Sequence, residues 1–258
     1  MTRLRFLGSS DSQGVPRWWC HCAVCEEARS TRLNARTRPS ALIEGSERIL
    51  IDASPELRLQ MAREGIDQVE AVLVTHAHND HILGLGDLVD RARWTKLLCP
   101  VYLPEEVVPQ AKERFAYLER GDFYPQYAPL KPLESASRTF AGYQVRPVKV
   151  PHGWNGWSYA LRFGGEGGSW GYMSDCIGLQ DLEPWRGLNL LVLGTSFYHE
   201  AAPLEGRSVY DVLEGLELIA ELKPQQTVLT HLGHGVDIRT PLPEGVVFAQ
   251  DGLVVELP

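Results

Sequence analysis

The sequence predicts an α/β fold in two successive halves, each made of strands followed by helix. Three observations lead there. Short apolar runs rich in Val, Ile and Leu recur between glycine, proline and polar turn residues, as buried strands do. Two longer segments, 56–63 and 209–222, place their apolar residues at helical spacing instead. No linker, low-complexity stretch or short-period repeat divides the 258 residues, a length that suits one domain with a sizeable core.

Composition narrows the class. A net charge of -8 argues against a broad nucleic-acid surface, which needs an excess of Lys and Arg, but leaves room for a local cationic pocket. The N-terminus has no apolar leader, and no apolar run approaches the ~18 residues of a membrane span. Five cysteines, an odd number without an export signal, fit reduced thiols in a cytoplasmic protein; clustered thiols there suggest metal.

The first strand is 3–7, followed by a loop rich in glycine and serine. Cys20, Cys22 and Cys25 then form a C-x-C-x-x-C array. Three such thiols can converge on one tetrahedral ion, and a closed zinc site needs a fourth ligand. His21, between two of them, points away, whereas a distant His near the C-terminus is the better donor. Reduced thiols in a turn, or a redox pair, are the other reading. Arg29, Arg32, Arg36 and Arg38 follow with no acidic residue among them, as solvated surface or as an anion-binding flank. Segments 41–44 and 48–51 form a hairpin around Gly45-Ser46. Pro55 opens the helix 56–63 and Gly65 stops it. Asp52, at a strand end, either orients a metal-bound imidazole or caps that helix.

The apolar run 71–74 reads as a buried strand, and beyond it come Thr75, His76, His78, Asp80 and His81. Imidazole and carboxylate suit zinc, manganese or iron, and four such groups exceed what one ion takes from one loop. In an extended loop His76 and His78 point one way, while Asp80 and His81, turning into a helix, point another. That favours two adjacent ions.

Residues 87–130 mix charges, with a helix expected over 107–118 and a buried thiol at Cys99. Tyr117, Phe123, Tyr124 and Tyr127 suit core or interface packing, or a pocket wall. Strand 145–150 leads to His152; a hairpin, 158–163 with 169–174, leads to Asp175; strand 190–193 precedes His199. Strand 226–229 delivers His231, and 246–248 and 253–256 close the chain. His152, Asp175 and His231 thus share with the 76–81 loop a position at a strand's C-terminal end. Such ends collect at one edge of a sheet, where sites are built.

Thr75-His-Ala-His-Asn-Asp-His81, with His152, Asp175 and His231 in order, resembles the T-H-x-H-x-D-H signature of the metallo-β-lactamase superfamily. The resemblance implies a four-layered αββα sandwich. It also implies that His76, His78 and His152 hold one ion, Asp80, His81 and His231 the other, and that Asp175 bridges them, with Asp52 behind. The N-terminal stretch from Gly8 to Cys25 is similar to two branches of that superfamily. These are the cyclic-phosphate phosphodiesterases of the carbon–phosphorus lyase pathway (PhnP-like) and the pyrroloquinoline quinone biosynthesis protein B group. In both, the thiols and a His three residues past the last metal His hold a structural zinc; here that His is His234. Asp52-Ala-Ser-Pro-Glu-Leu-Arg58 looks closer to the second branch, whose His loop is usually degraded, whereas this one is complete. The first branch carries an extra active-site His where this chain has Arg207-Ser208-Val209, and nearby His199 is the candidate substitute.

The expected function is metal-dependent hydrolysis of a small, anionic, in some cases cyclic, phosphodiester. Five neutral imidazoles, two carboxylates and two divalent ions (zinc or manganese) sum to about +2, which attracts such an anion and activates water. Asp80 takes the proton and His199 is the candidate acid or phosphate contact. The same centre would serve a lactone or thioester hydrolase, or a role like that of the quinone-cofactor branch; a non-catalytic RNA-binding scaffold fits the net charge poorly. The resemblance also implies a homodimer.

Overall fold

The computed structural model describes residues 1–118, 126–134 and 139–258. Its strands form two sheets, ordered β13-β1-β2-β3-β4-β5-β6 and β12-β11-β10-β9-β8-β7. In the first, β1 (Arg3–Gly8), β2 (Ser40–Glu44) and β3 (Arg48–Ile51) pair antiparallel. From β3 onward the pairing is parallel, through β4 (Ala71–Leu73), β5 (Val101–Leu103) and β6 (Leu130–Pro132). The second sheet repeats the pattern. β7 (Gln144–Pro151), β8 (Trp157–Gly165) and β9 (Gly168–Met173) are antiparallel. β10 (Leu190–Gly194), β11 (Gln226–Thr230) and β12 (Val246–Phe248) continue in parallel. β13 (Val254–Glu256) returns to the edge of the first sheet.

Side-chain alternation makes the layers. On β2 and β3, Ile43, Ile49 and Ile51 face the second sheet and meet Leu161, Phe163, Trp170 and Val192. Leu42 and Leu50, one residue out of phase, face the helices instead. There they pack under Leu57 of α2 (Leu57–Glu64) and Leu85, Leu88, Val89 and Ala92 of α4 (Leu85–Thr95). On the far side Leu191, Leu193 and Leu229 lie against Val212 and Leu222 of α6 (Val212–Leu222). Strands buried on both faces read as unbroken apolar runs, hence the plain 190–193 signal. The result is the αββα sandwich.

Several elements depart from the sequence pattern. The helix expected over 107–118 is a 3-10 turn, Glu105–Val107, followed by α5 (Val108–Arg114), because Pro109 sits in the first turn and Phe115 leaves it. The helix expected from 209 begins at Val212: Asp211 caps it, its carboxylate accepting from Glu214 N (2.8 Å) while Glu214 accepts from Asp211 N (3.0 Å). α1 (Ala23–Ser30), α4, β5 and β6 were not evident from the sequence pattern. In α4 the apolar stripe is interleaved with charge, and β5 and β6 are three residues each, too short for periodicity to register. Of the aromatic tract, Tyr117 is exposed and Tyr127 packs at the edge of the helix-side core, while Phe123 and Tyr124 lie outside the described residues. Cys99 is buried, and burial pushes its thiol up to about 11.

One glycine positions the site. A Cβ on Gly194 would lie 1.6 Å from the Ser174 carbonyl oxygen, so β10 approaches the end of β9, just before Asp175, as only glycine permits. No helix among the described residues is long and apolar enough to cross a membrane.

Candidate metal centre

Five strand ends converge at one edge of the two sheets. β3 delivers Asp52, β4 the 75–81 loop, which turns into the short α3 (Asn79–Ile82), β7 His152, β9 Asp175 and β11 His231. Asp52 and His231 both turn left-handed (φ 58° and 59°), a strained backbone for residues with a Cβ, on the order of 1–3 kcal/mol each. Such strain concentrates where the surrounding structure fixes a side chain's direction.

The ring nitrogens gather in two adjacent groups. In the first, His78 Nδ1 lies 2.9 Å from His76 Nε2 and 3.3 Å from His152 Nε2. In the second, His81 Nε2 is 3.2 Å from Asp80 Oδ2, which is 3.4 Å from His231 Nε2. Asp175 stands between them: Oδ2 is 3.0 Å from His81 Nε2, and Oδ1 is 3.3 Å from His231 Nε2 and 3.7 Å from His152 Nε2. Ligand nitrogens on one tetrahedral zinc lie roughly 3.3 Å apart, given arms of about 2.0–2.1 Å. The spacing therefore fits cations.

Surrounding hydrogen bonds aim the rings. His81 Nδ1 donates to Asp52 Oδ2 (2.7 Å) and His152 Nδ1 donates to the Ser208 carbonyl (2.7 Å), which leaves each Nε2 lone pair toward the cluster. Asp52 is fully buried and also accepts from Thr75 N and Oγ1, so it orients an imidazole and does not cap the following helix. Burial pushes its carboxyl up, against the opposing pull of His81. Asp80 and Asp175 are raised by burial too, yet facing imidazoles hold both well below the usual carboxylate range. His81 Nε2 and Asp175 Oδ2 are buried without a hydrogen-bond partner, although close to each other. A buried acceptor pair of this kind costs about 1–3 kcal/mol per group unless something else binds it, and a divalent cation would. Asp52→Ala is expected to lower divalent-metal affinity about 10–100-fold, read as metal retained after dialysis against a graded chelator; unchanged retention would contradict the orienting role.

A second cluster lies nearby. His234 Nδ1 is 3.1, 3.5 and 3.7 Å from the sulfurs of Cys20, Cys22 and Cys25. Thiolate and imidazole on one zinc are separated by roughly 3.6 Å, so these four fit a closed tetrahedral site. His21 is turned out to solvent and pairs with Glu26. Arg36, from the arginine run, is neither solvated surface nor anion-binding flank. It is buried and donates to the carbonyls of Leu232, Gly233 and Val236, clamping the turn that carries both His231 and His234. Arg29 and Arg38 pair with Glu26 and Glu56.

His199 lies apart from the cluster, its ring mostly exposed and Nδ1 3.1 Å from Asp211 Oδ2. A cleft of about 430 Å³ opens beside His231, lined also by Asp11, Arg17, Trp19, Phe197 and Ser208. Sequence reasoning gave Thr75 and Ser208 no role of their own and did not single out this lining; the adjacent Trp18-Trp19 in a polar loop was the available signal.

Residues 47–232 match the β-lactamase superfamily domain. A solved diphosphatase of the PhnP family is 30% identical, with a TM-score of 0.86, covering 100% of this chain and 98% of its own. The octanoyltransferase of Porphyromonas gingivalis is 32% identical over 97% of this chain, which spans about half (51%) of that protein's length. The coenzyme PQQ synthesis protein B of Methylobacterium radiotolerans is 38% identical over 106 residues, 36% of each protein. With the sandwich, the edge of strand ends and the matched domain in agreement, this chain belongs to the metallo-β-lactamase superfamily.

Proposed function

We propose that this protein is a metal-dependent phosphodiesterase acting on a small, anionic phosphodiester, cyclic ones included. The observation that carries the reading is Asp175, whose oxygens face His81 and His231 of one group and His152 of the other. His76, His78 and His152 would hold one divalent ion and Asp80, His81 and His231 the other, with Asp175 shared. Zinc or manganese suits these donors, and two such ions, when bound, supply Lewis acidity and a water of lowered pKa. The chain's own groups do the rest. Asp80, ionised at the cluster, accepts a proton from the attacking water. Asp52 and the Ser208 carbonyl keep His81 and His152 in fixed tautomers. His199, exposed apart from the cluster with Nδ1 3.1 Å from Asp211 Oδ2, is the candidate acid or phosphate contact toward the leaving group. Cys20, Cys22, Cys25 and His234 hold a structural zinc, and the working form is a homodimer in the cytoplasm. The whole-length similarity to a PhnP-family diphosphatase supports the phosphoryl class.

The test is hydrolysis of bis(p-nitrophenyl) phosphate by wild type and Asp80→Ala, with elemental analysis of both. Turnover in metal-loaded wild type and a loss of about 100-fold or more in the variant are expected, since removing one charge-stabilising group commonly costs that much. No turnover with both ions loaded would overturn the reading. A second reading, ester or thioester hydrolysis, draws on the octanoyltransferase similarity. Faster turnover of p-nitrophenyl octanoate than of the diester would favour it.

A further inference from the structure

The cleft beside His231 has two features that the metal cluster does not use. The first is the Arg17 guanidinium in its lining. Arg17 Nη2 donates to Asp11 Oδ2 at 2.7 Å, and its buried Nε has no hydrogen-bond partner among the described residues. Asp11 is itself buried and lies within the field of the buried Arg36. Arg36 is engaged by backbone carbonyls and does not line the cleft, so Arg17 is the guanidinium that the cleft offers. The Arg17 fork is also held in place: its carbonyl accepts from Cys20 N (3.1 Å) and Arg29 Nη2 (2.7 Å), and its guanidinium lies 5.7 Å over the Phe197 ring. A planar, pre-oriented fork with unused donors suits a phosphate oxygen.

The second feature is aromatic. Trp19 lines the cleft with about half its surface exposed (49%), Phe197 belongs to the same lining, and Trp18 meets Trp19 edge to face at 5.2 Å. About half of the Trp19 surface is left open to the cleft, beside Arg17 and His231. It is a stacking surface, and flat bases stack on such side chains irrespective of sequence.

We propose that this cleft binds the nucleoside side of the substrate: Arg17 contacts a phosphate oxygen, and Trp19 with Phe197 stacks the base. The substrate class is then a nucleotide-type phosphodiester or diphosphate. This deepens the phosphodiesterase reading and rests on it for the reaction, but not for binding.

The experiment is calorimetry of AMP and ribose 5-phosphate with metal-loaded wild type, Trp19→Ala, Trp19→Phe and Arg17→Lys. Wild type is expected to bind AMP about tenfold more tightly than ribose 5-phosphate, the size of one base stack. Trp19→Ala should erase that preference and leave ribose 5-phosphate unchanged, while Trp19→Phe restores most of it. Arg17→Lys keeps a charge against Asp11 but loses the fork, and should weaken both ligands about tenfold at an unchanged ratio. Equal binding of AMP and ribose 5-phosphate by wild type, or a preference that survives Trp19→Ala, overturns the base assignment. Unaltered affinities in Arg17→Lys overturn the anion contact. Turnover of bis(p-nitrophenyl) phosphate is scored separately. Turnover without a base preference sinks this inference alone, and a base preference without turnover sinks the phosphodiesterase reading alone.

Discussion

Asp175→Ala should strip the centre of at least one metal equivalent and reduce phosphodiester turnover more than any other single change. The reasoning begins with position. Asp175 follows β9, whose end is pressed against β10 at Gly194, so the carboxylate has little freedom to relocate. It is buried at 4% exposure, and its oxygens approach His81, His231 and His152 at 3.0, 3.3 and 3.7 Å. Removing it leaves Asp80, beside His81 and His231, as the remaining carboxylate among the five imidazoles. Loss of an orienting group behind a ligand already costs about 10–100-fold in metal affinity, so loss of the shared ligand should exceed 100-fold. Chelator titration and elemental analysis measure the first effect, and diester hydrolysis at saturating metal the second. Retained metal and activity within about threefold of wild type would refute the bridging role.

Cys22→Ser should have the largest effect on stability. The thiol cluster joins the loop before α1 to the turn at His234, residues about 210 apart in sequence, and so closes a long loop that carries strands of both sheets. Burial pushes the Cys25 thiol up to about 11 in the metal-free chain, a cost that a bound cation would remove. Loss of a structural metal is among the few single changes worth more than about 4 kcal/mol, which corresponds to a melting shift on the order of 10 °C at this size. One zinc equivalent should disappear while the metals of the His/Asp cluster remain. Unchanged melting and zinc content would reject the structural site.

Why the site was legible and parts of the scaffold were not follows from how each is encoded. The 76–81 loop packs three imidazoles and a carboxylate into six positions, a density that core packing does not produce. His152, Asp175 and His231 each follow a plain strand signal, and the structure places all three at the edge where the loop lies. His234 sits close to all three thiols, as the C-x-C-x-x-C pattern and its similarity to two known branches implied. By contrast α4 was hidden because Asp87, Asp90, Arg91 and Arg93 interleave with its buried stripe, and mixed charge reads as surface. Arg36 was misjudged for a different reason. Its partners are backbone carbonyls about 200 residues away, and carbonyls leave no mark in a sequence pattern. Asp52 allowed two roles from its strand-end position; only the distances to His81 and Thr75 decide between them.

The most direct test of the account is anomalous diffraction from crystals grown in excess zinc or manganese, with data collected at the absorption edge of that metal. The account predicts two peaks roughly 3.5–4 Å apart among His76, His78, Asp80, His81, His152, Asp175 and His231. An empty cluster at saturating metal, or one peak that leaves Asp175 unliganded, would contradict it.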